Sequence, residues 1–208
     1  MNVRILLFDP RVIGHHLEYL DHVSKYVAQR SRSTDRTAAE QRPGRSGVEL
    51  HMAVHPAIEE RRPGIADRVK AHPSLALHPL TRQECTAIEE ASLLYKGRAM
   101  WQATSRVACA VRPDHCVFME INPLQLTLGM PAAWWADFDI SGILFFPFPR
   151  IESDHLHVLD RIRTGIERGR KYLQLRWMLL NPRVRHLFVL NDDTVVQELR
   201  ETYHCDCF

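Results

Sequence analysis

Ile5-Leu6-Leu7-Phe8 is apolar without a break and stops at Asp9-Pro10. A short continuous apolar run reads as a strand buried on both faces, which requires a sheet covered by helices on both sides. Strand one is placed at about Arg4 to Phe8. Ile13-Gly14-His15-His16 follows, and then an amphipathic stretch with Leu17, Leu20, Val23 and Val27 on one face, which predicts a helix from about Gly14 to Gln29. The strand's carboxyl end therefore meets a helix amino terminus, where open α/β proteins place their ligands.

The same alternation continues along the chain. Val48 to Val54 reads as the second strand, followed by a short helix at about Gly64 to Lys70 and a weak strand at Leu75 to Leu77 between His72-Pro73 and His78-Pro79. Thr81 with Glu84 three residues later has the form of a capping box, and one long helix is expected from there to Val111. Further strands are placed at Cys116 to Ile121, Gly142 to Phe146 and His186 to Leu190. Asn122-Pro123 opens a helix with proline in its first turn, Ser153 to Leu180 is one long helix or two, and a last helix spans about Val195 to Thr202. Residues 31–47 are rich in Ser, Thr, Arg, Gln, Pro and Gly, and are expected to form a flexible surface loop. The fold class read from this is α/β, a Rossmann-like parallel sheet of six or seven strands with helices on both faces. The expectation is a single domain over residues 1–208.

Composition narrows the function classes. A chain of 208 residues with a formal charge of +2 has enough apolar content for a sizeable core and no charge excess that calls for nucleic acid. Cys85, Cys109, Cys116, Cys205 and Cys207 lack paired metal spacing and read as reduced thiols of a cytoplasmic protein. No signal peptide and no membrane-spanning segment is read, since the longest apolar stretches fall well short of the roughly 20 residues a spanning helix needs. No Walker loop, Gly-x-Ser-x-Gly elbow or His-Glu-x-x-His helix occurs. No cofactor or metal is expected.

The candidate site residues all lie at strand ends. Gly14, His15 and His16 follow strand one: the glycine lets backbone approach a ligand, free first-turn amides suit a phosphate, and the imidazoles suit a ligand hydroxyl. The alternative is a turn glycine and a helix-capping histidine. Glu120 and Asn122 end strand four and are placed to hydrogen-bond hydroxyls, against a reading of a capping Asn122 and a solvated Glu120. Asn191, Asp192 and Asp193 read as caps of the final helix rather than as metal ligands. Trp134-Trp135 suits sugar stacking or a core or subunit contact. Arg161, Arg163, Arg168, Arg170, Lys171 and Arg176 read as a solvated helix face, with contact to an anionic membrane surface as the alternative.

The opening strand-Asp-Pro-x-x-x-Gly-His-His-Leu-x-Tyr resembles the amino-terminal domain of GT-B glycosyltransferases, the retaining nucleotide-sugar enzymes of glycosyltransferase family four and its relatives. Val117-Phe118-Met119-Glu120-Ile121-Asn122-Pro123, Gly142-Ile143-Leu144-Phe145-Phe146-Pro147 and Leu187-Phe188-Val189-Leu190-Asn191-Asp192 carry the resemblance further along the chain. It implies one half of a GT-B fold. The Gly14-His15-His16 loop then faces a nucleotide-sugar domain, with the glycine backbone near the donor diphosphate and neighbouring side chains touching a sugar or lipid-linked acceptor. Many relatives have a donor-contacting histidine where this sequence has Glu120 and Asn122.

The resemblance also implies a donor-binding domain that is absent from these 208 residues, so the chain is expected to be the acceptor-side half, inactive alone. Two other readings use the same residues. One is a non-catalytic interaction module that pairs with a separate chain, and the other is an unrelated small α/β enzyme with His15, His16 and Glu120 as acid and base.

Overall fold

A computed structural model of the chain describes residues 2–12, 16–37, 47–145, 158–189, 193–203 and 207. Among them, six strands form one sheet: β1 (Val3–Asp9), β2 (Val48–Val54), β3 (Leu75–Pro79), β4 (His115–Phe118), β5 (Asp139–Leu144) and β6 (Val184–Val189). Their order is β3-β2-β1-β4-β5-β6, and every neighbouring pair is parallel. The fold is thus the expected α/β class with a Rossmann-type parallel sheet. The chain works outward from β1 in one direction, returns, and works outward from β4 in the other, so the order reverses between β1 and β4. A crevice opens at such a reversal, outside the carboxyl ends of the two strands.

Side-chain alternation divides the core in two. Leu6, Phe8, Ala53, Cys116, Phe118 and Ile140 point to one face. Its cover among the described residues comes from α4 (Arg82–Glu90), α5 (Leu93–Val111), α6 (Gln125–Gly129), α7 (Pro131–Trp134), α8 (Val158–Leu179) and α9 (Asp193–Tyr203). Leu7, Leu50, Met52, Val54 and Leu75 point to the other, under α1 (His16–Thr37), α2 (Ile58–Arg61) and α3 (Pro63–Ala71). Phe8 and Phe118 are fully buried neighbours on the central strands, with ring centroids 5.6 Å apart. Burial of each ring contributes about 1.5–3 kcal/mol, and such a pair about 0.5–1.5 kcal/mol more. The central strands are therefore the best-anchored part of the sheet, and they position the crevice.

Several boundaries differ from the sequence reading. Helix α1 continues through Thr37, so the expected surface loop over 31–47 is helical in its first part; no proline or glycine interrupts Ser31 to Thr37, and residues 38–46 lie outside the described residues. The long helix from Thr81 to Val111 is two. Thr81 does form the capping box with Glu84, but Ala91 and Ser92 are extended, at ψ 137° and 159°, and the chain folds back. Arg106 consequently reaches Glu84 with two bonds of 2.6 and 2.9 Å, although in one continuous helix residues that far apart would be separated by roughly 33 Å. Asn122–Leu124 is a 3₁₀ turn with proline at its start, followed by short α6 and α7 (Pro131–Trp134) rather than one helix.

Strand β5 begins at Asp139, before the expected Gly142, because its polar residues are paired. Ser141 is buried against His115, whose Nε2 lies 2.8 Å from the hydroxyl, and Asp139 meets Arg185 at 3.1 Å. Strand β6 likewise begins earlier, at Val184. Phe146 and Leu190 lie outside the described residues.

Candidate functional site

The apolar run of β1 ends on a carboxylate that is itself fully buried, Asp9. A buried charge without partners costs several kcal/mol, so its contacts decide whether it is tolerated. The Arg11 amide donates to Asp9 Oδ1 at 3.2 Å, and His16 Nδ1 lies 3.1 Å from both carboxylate oxygens. His16 is the first residue of α1, with its side chain only 12% exposed. A neutral imidazole in this place must carry its proton on Nδ1 to serve the carboxylate, which leaves the lone pair on Nε2.

Glu120, just beyond β4, is half-buried and forms an ion pair with the Arg11 guanidinium. Asn122, two residues on, clamps the end of β5: its Nδ2 donates to the Phe145 carbonyl and its Oδ1 accepts from the Phe145 amide at 2.9 Å. The Phe145 ring in turn lies beside His16, with centroids 6.2 Å apart. His16, Glu120 and Asn122 are thereby drawn to the carboxyl ends of β1, β4 and β5 through Asp9, Arg11 and Phe145. Gly14 and His15 lie outside the described residues. Asn122 has one amide proton and one acceptor lone pair beyond those Phe145 uses, and it does not cap the 3₁₀ turn, whose preceding residue Ile121 makes no side-chain cap.

Asp9 and Arg11 were not among the candidates read from the sequence. The signal was a carboxylate closing an otherwise apolar strand, seven positions before a histidine. Their presence changes the chemistry expected at this helix end. The Asp9 carboxylate lies against the His16 side chain at the start of α1, and a negative charge there opposes a second anion, so the described residues suit a hydroxyl-bearing neutral ligand better than a phosphate.

The remaining candidates are scattered. Trp134 is half-buried, with its indole nitrogen unpaired and shielded, while Trp135 is 84% exposed, so the adjacent tryptophans do not act as one platform. Asn191 and Asp192 lie outside the described residues, and Asp193 begins α9. Cys116 is fully buried in β4, where burial pushes its thiol far above the ordinary range and leaves it inert. Among the described residues no three His, Cys, Asp or Glu side chains gather as metal ligands would.

Fold and crevice together define an α/β protein of Rossmann type whose switch point holds an Asp–His pair beside an Arg–Glu pair. No family model and no curated protein matches the chain. Among solved structures it is similar to CalG4, the calicheamicin glycosyltransferase, with 16% identity and a TM-score of 0.42 over 99% of this chain and 42% of that one. It is also similar to the spinosyn rhamnosyltransferase SpnG complexed with thymidine diphosphate, with 14% identity and a TM-score of 0.32 over 77% of this chain and 38% of that one. The chain thus spans less than half the length of either structure.

Proposed function

We propose that this chain is the acceptor-side half of a glycosyltransferase, in which a nucleotide-sugar held by a donor-binding domain delivers its sugar to an acceptor hydroxyl in the β1–β4 crevice. The Asp9–His16 pair carries this reading. With Nδ1 held by Asp9, His16 presents Nε2 as a base: it takes the proton of the acceptor hydroxyl as that oxygen bonds to the anomeric carbon and the nucleoside diphosphate leaves. Asp9 stabilises the imidazolium that forms. Glu120, fixed by Arg11, accepts hydrogen bonds from neighbouring acceptor hydroxyls. The opening motif's resemblance to GT-B amino-terminal domains supports the same reading.

A base acting on the acceptor in one displacement inverts the anomeric centre, whereas the family-four resemblance implies retention. The anomeric configuration of the product, read by NMR, separates the two. His16→Ala in the chain paired with its donor-binding domain is expected to lower kcat by about 10²- to 10⁴-fold, and His16→Asn, which keeps an N–H for the buried Asp9 but supplies no base, to lower it as much with the fold unchanged by circular dichroism. In the 208-residue chain alone, neutral oligosaccharides are expected to shift the His16 imidazole signals and nucleoside diphosphates to leave them in place. Sugar transfer by this chain alone would refute the half-enzyme assignment, and wild-type kcat for His16→Ala would remove the histidine from the chemistry.

A further inference from the structure

Helix α8 buries Leu175 and Met178 against the sheet but leaves Ile166, Leu173, Trp177 and Leu180, the residue just after its end, between 49% and 67% exposed. At roughly 100° per residue these four fall within about 60° of one another, on a single outward stripe. Arg170 and Arg176 are exposed and fall on opposite sides of that stripe, about 60° from Leu173. Glu167 is half-buried and turned some 120° away, toward the packed side. Trp177 is held in place: its ring lies across Gly129 at the end of α6, so close that a Cβ there would come within 1.6 Å of the ring. Met130, the next residue, is exposed and widens the apolar surface.

From this arrangement we propose that the α8 face docks on an anionic lipid surface, with Leu173, Trp177 and Leu180 entering the headgroup and acyl boundary and Arg170 and Arg176 meeting lipid phosphates on either side. An apolar stripe containing tryptophan, bordered on both flanks by arginine, matches what a bilayer interface offers: hydrocarbon at the centre and anionic groups around it. A second copy fits poorly. A two-fold contact between identical stripes would set Arg170 and Arg176 of one chain against the same arginines of the other. Spanning is a separate matter, because no helix among the described residues is long and apolar enough to cross a membrane. This surface is made of α8 and α6 and uses none of the crevice residues, so it stands or falls independently of the proposed transfer reaction.

The test is co-sedimentation of the 208-residue chain with vesicles of phosphatidylcholine, with and without phosphatidylglycerol. Binding is expected only to the anionic vesicles, with release as salt is raised. Arg170→Gln combined with Arg176→Gln should weaken it by roughly thirtyfold, the effect of two arginines near such a surface. Leu173→Ala with Trp177→Ala should weaken it further. Because Trp177 also packs on α6, the surface arginine pair is the decisive variant, with its urea unfolding midpoint matched to wild type. A chain that stays in the supernatant with anionic vesicles overturns the proposal. So does binding that the arginine pair leaves unchanged. A dimer by light scattering that Leu173→Ala dissociates would give the stripe to a second copy instead.

Discussion

Asn122 shows how a residue at a ligand crevice also holds the crevice together. Its two bonds to the Phe145 backbone give the end of β5 the ladder partners it would otherwise lack, and they fix the amide's orientation, since only Oδ1 can accept from the Phe145 N–H. Asn122→Ala leaves a part-buried N–H and carbonyl unpaired and is expected to cost about 1–3 kcal/mol by urea unfolding. Asn122→Asp keeps the acceptor but sets a carboxylate against the Phe145 carbonyl, so it should do no better than alanine. Wild-type stability in both variants would show that the clamp contributes nothing. Sequence reading located this position because strand ends are visible as the last apolar residue. It could not see the clamp, because Phe145 is 23 residues away and only the β4–β5 register makes it a neighbour. Asp9 was overlooked for a related reason. A charged residue closing an apolar run looks like an exit to solvent, and its full burial depends on Arg11 and His16 folding back over it.

Among the elements, the close approach of α5 to the 3₁₀ turn constrains the sequence through the backbone itself. A Cβ on Gly97 would fall 2.2 Å from the Pro123 carbonyl oxygen, which is backbone and cannot swing aside, whereas Gly64 in α3 has open space in front of it. Gly97→Ala is therefore expected to destabilise by about 1–3 kcal/mol through forced separation of the two elements. Gly64→Ala should stabilise by about 0.4–1 kcal/mol by restricting the unfolded chain. Denaturation midpoints of both variants check the contrast, and shifts of the same sign would contradict the geometry. These elements also show what patterning conveys. Apolar runs marked the six strands to within a few residues, most plainly at β1, where a strand covered on both faces shows no polar side over Ile5 to Phe8. The α4–α5 break escaped notice because Ala91 and Ser92 are compatible with a helix locally, and the reversal is imposed by packing of the two helices against each other, with Glu84 and Arg106 across the seam.

For the molecule as a whole, three half-buried imidazoles among the described residues govern the first response to acid. His51 and His78 meet across β2 and β3, with Nδ1 and Nε2 3.0 Å apart, so one ring donates to the other and protonating both would bring like charges into contact. Burial is the main cause that holds each below the ordinary histidine value; Glu49 opposes it at His51 and Arg4 adds to it, while His51 and Arg106 add to it at His78. His115 on β4 is lowered chiefly by burial too, with His186 and Arg185 reinforcing and Asp139 opposing. All three are therefore neutral in the folded state at a pH where the unfolded chain, with histidines near about 6.5, already binds protons. The unfolded state then holds more protons, so stability rises with pH across the window from the lowered folded values up to about 6.5, and is lost as pH falls through it. Two carboxylates act at lower pH. Burial works against ionisation of Asp21 and Glu84, but Lys25 and Arg68 outweigh it at the first, and Arg106 and Thr81 at the second, holding both below their ordinary values. Their contribution is complete above about pH 4 and disappears as pH falls below it. Urea unfolding at a series of pH values should consequently show two separate losses, one beginning near pH 6.5 and one below about pH 4, with a shallower region between them. The first loss should coincide with imidazole titrations by NMR in which His51, His78 and His115 protonate at lower pH in the folded chain than in urea. A stability profile that is flat from pH 8 to 5 would mean that these rings titrate alike in both states, and that the β2–β3 imidazole contact places no demand on their protonation.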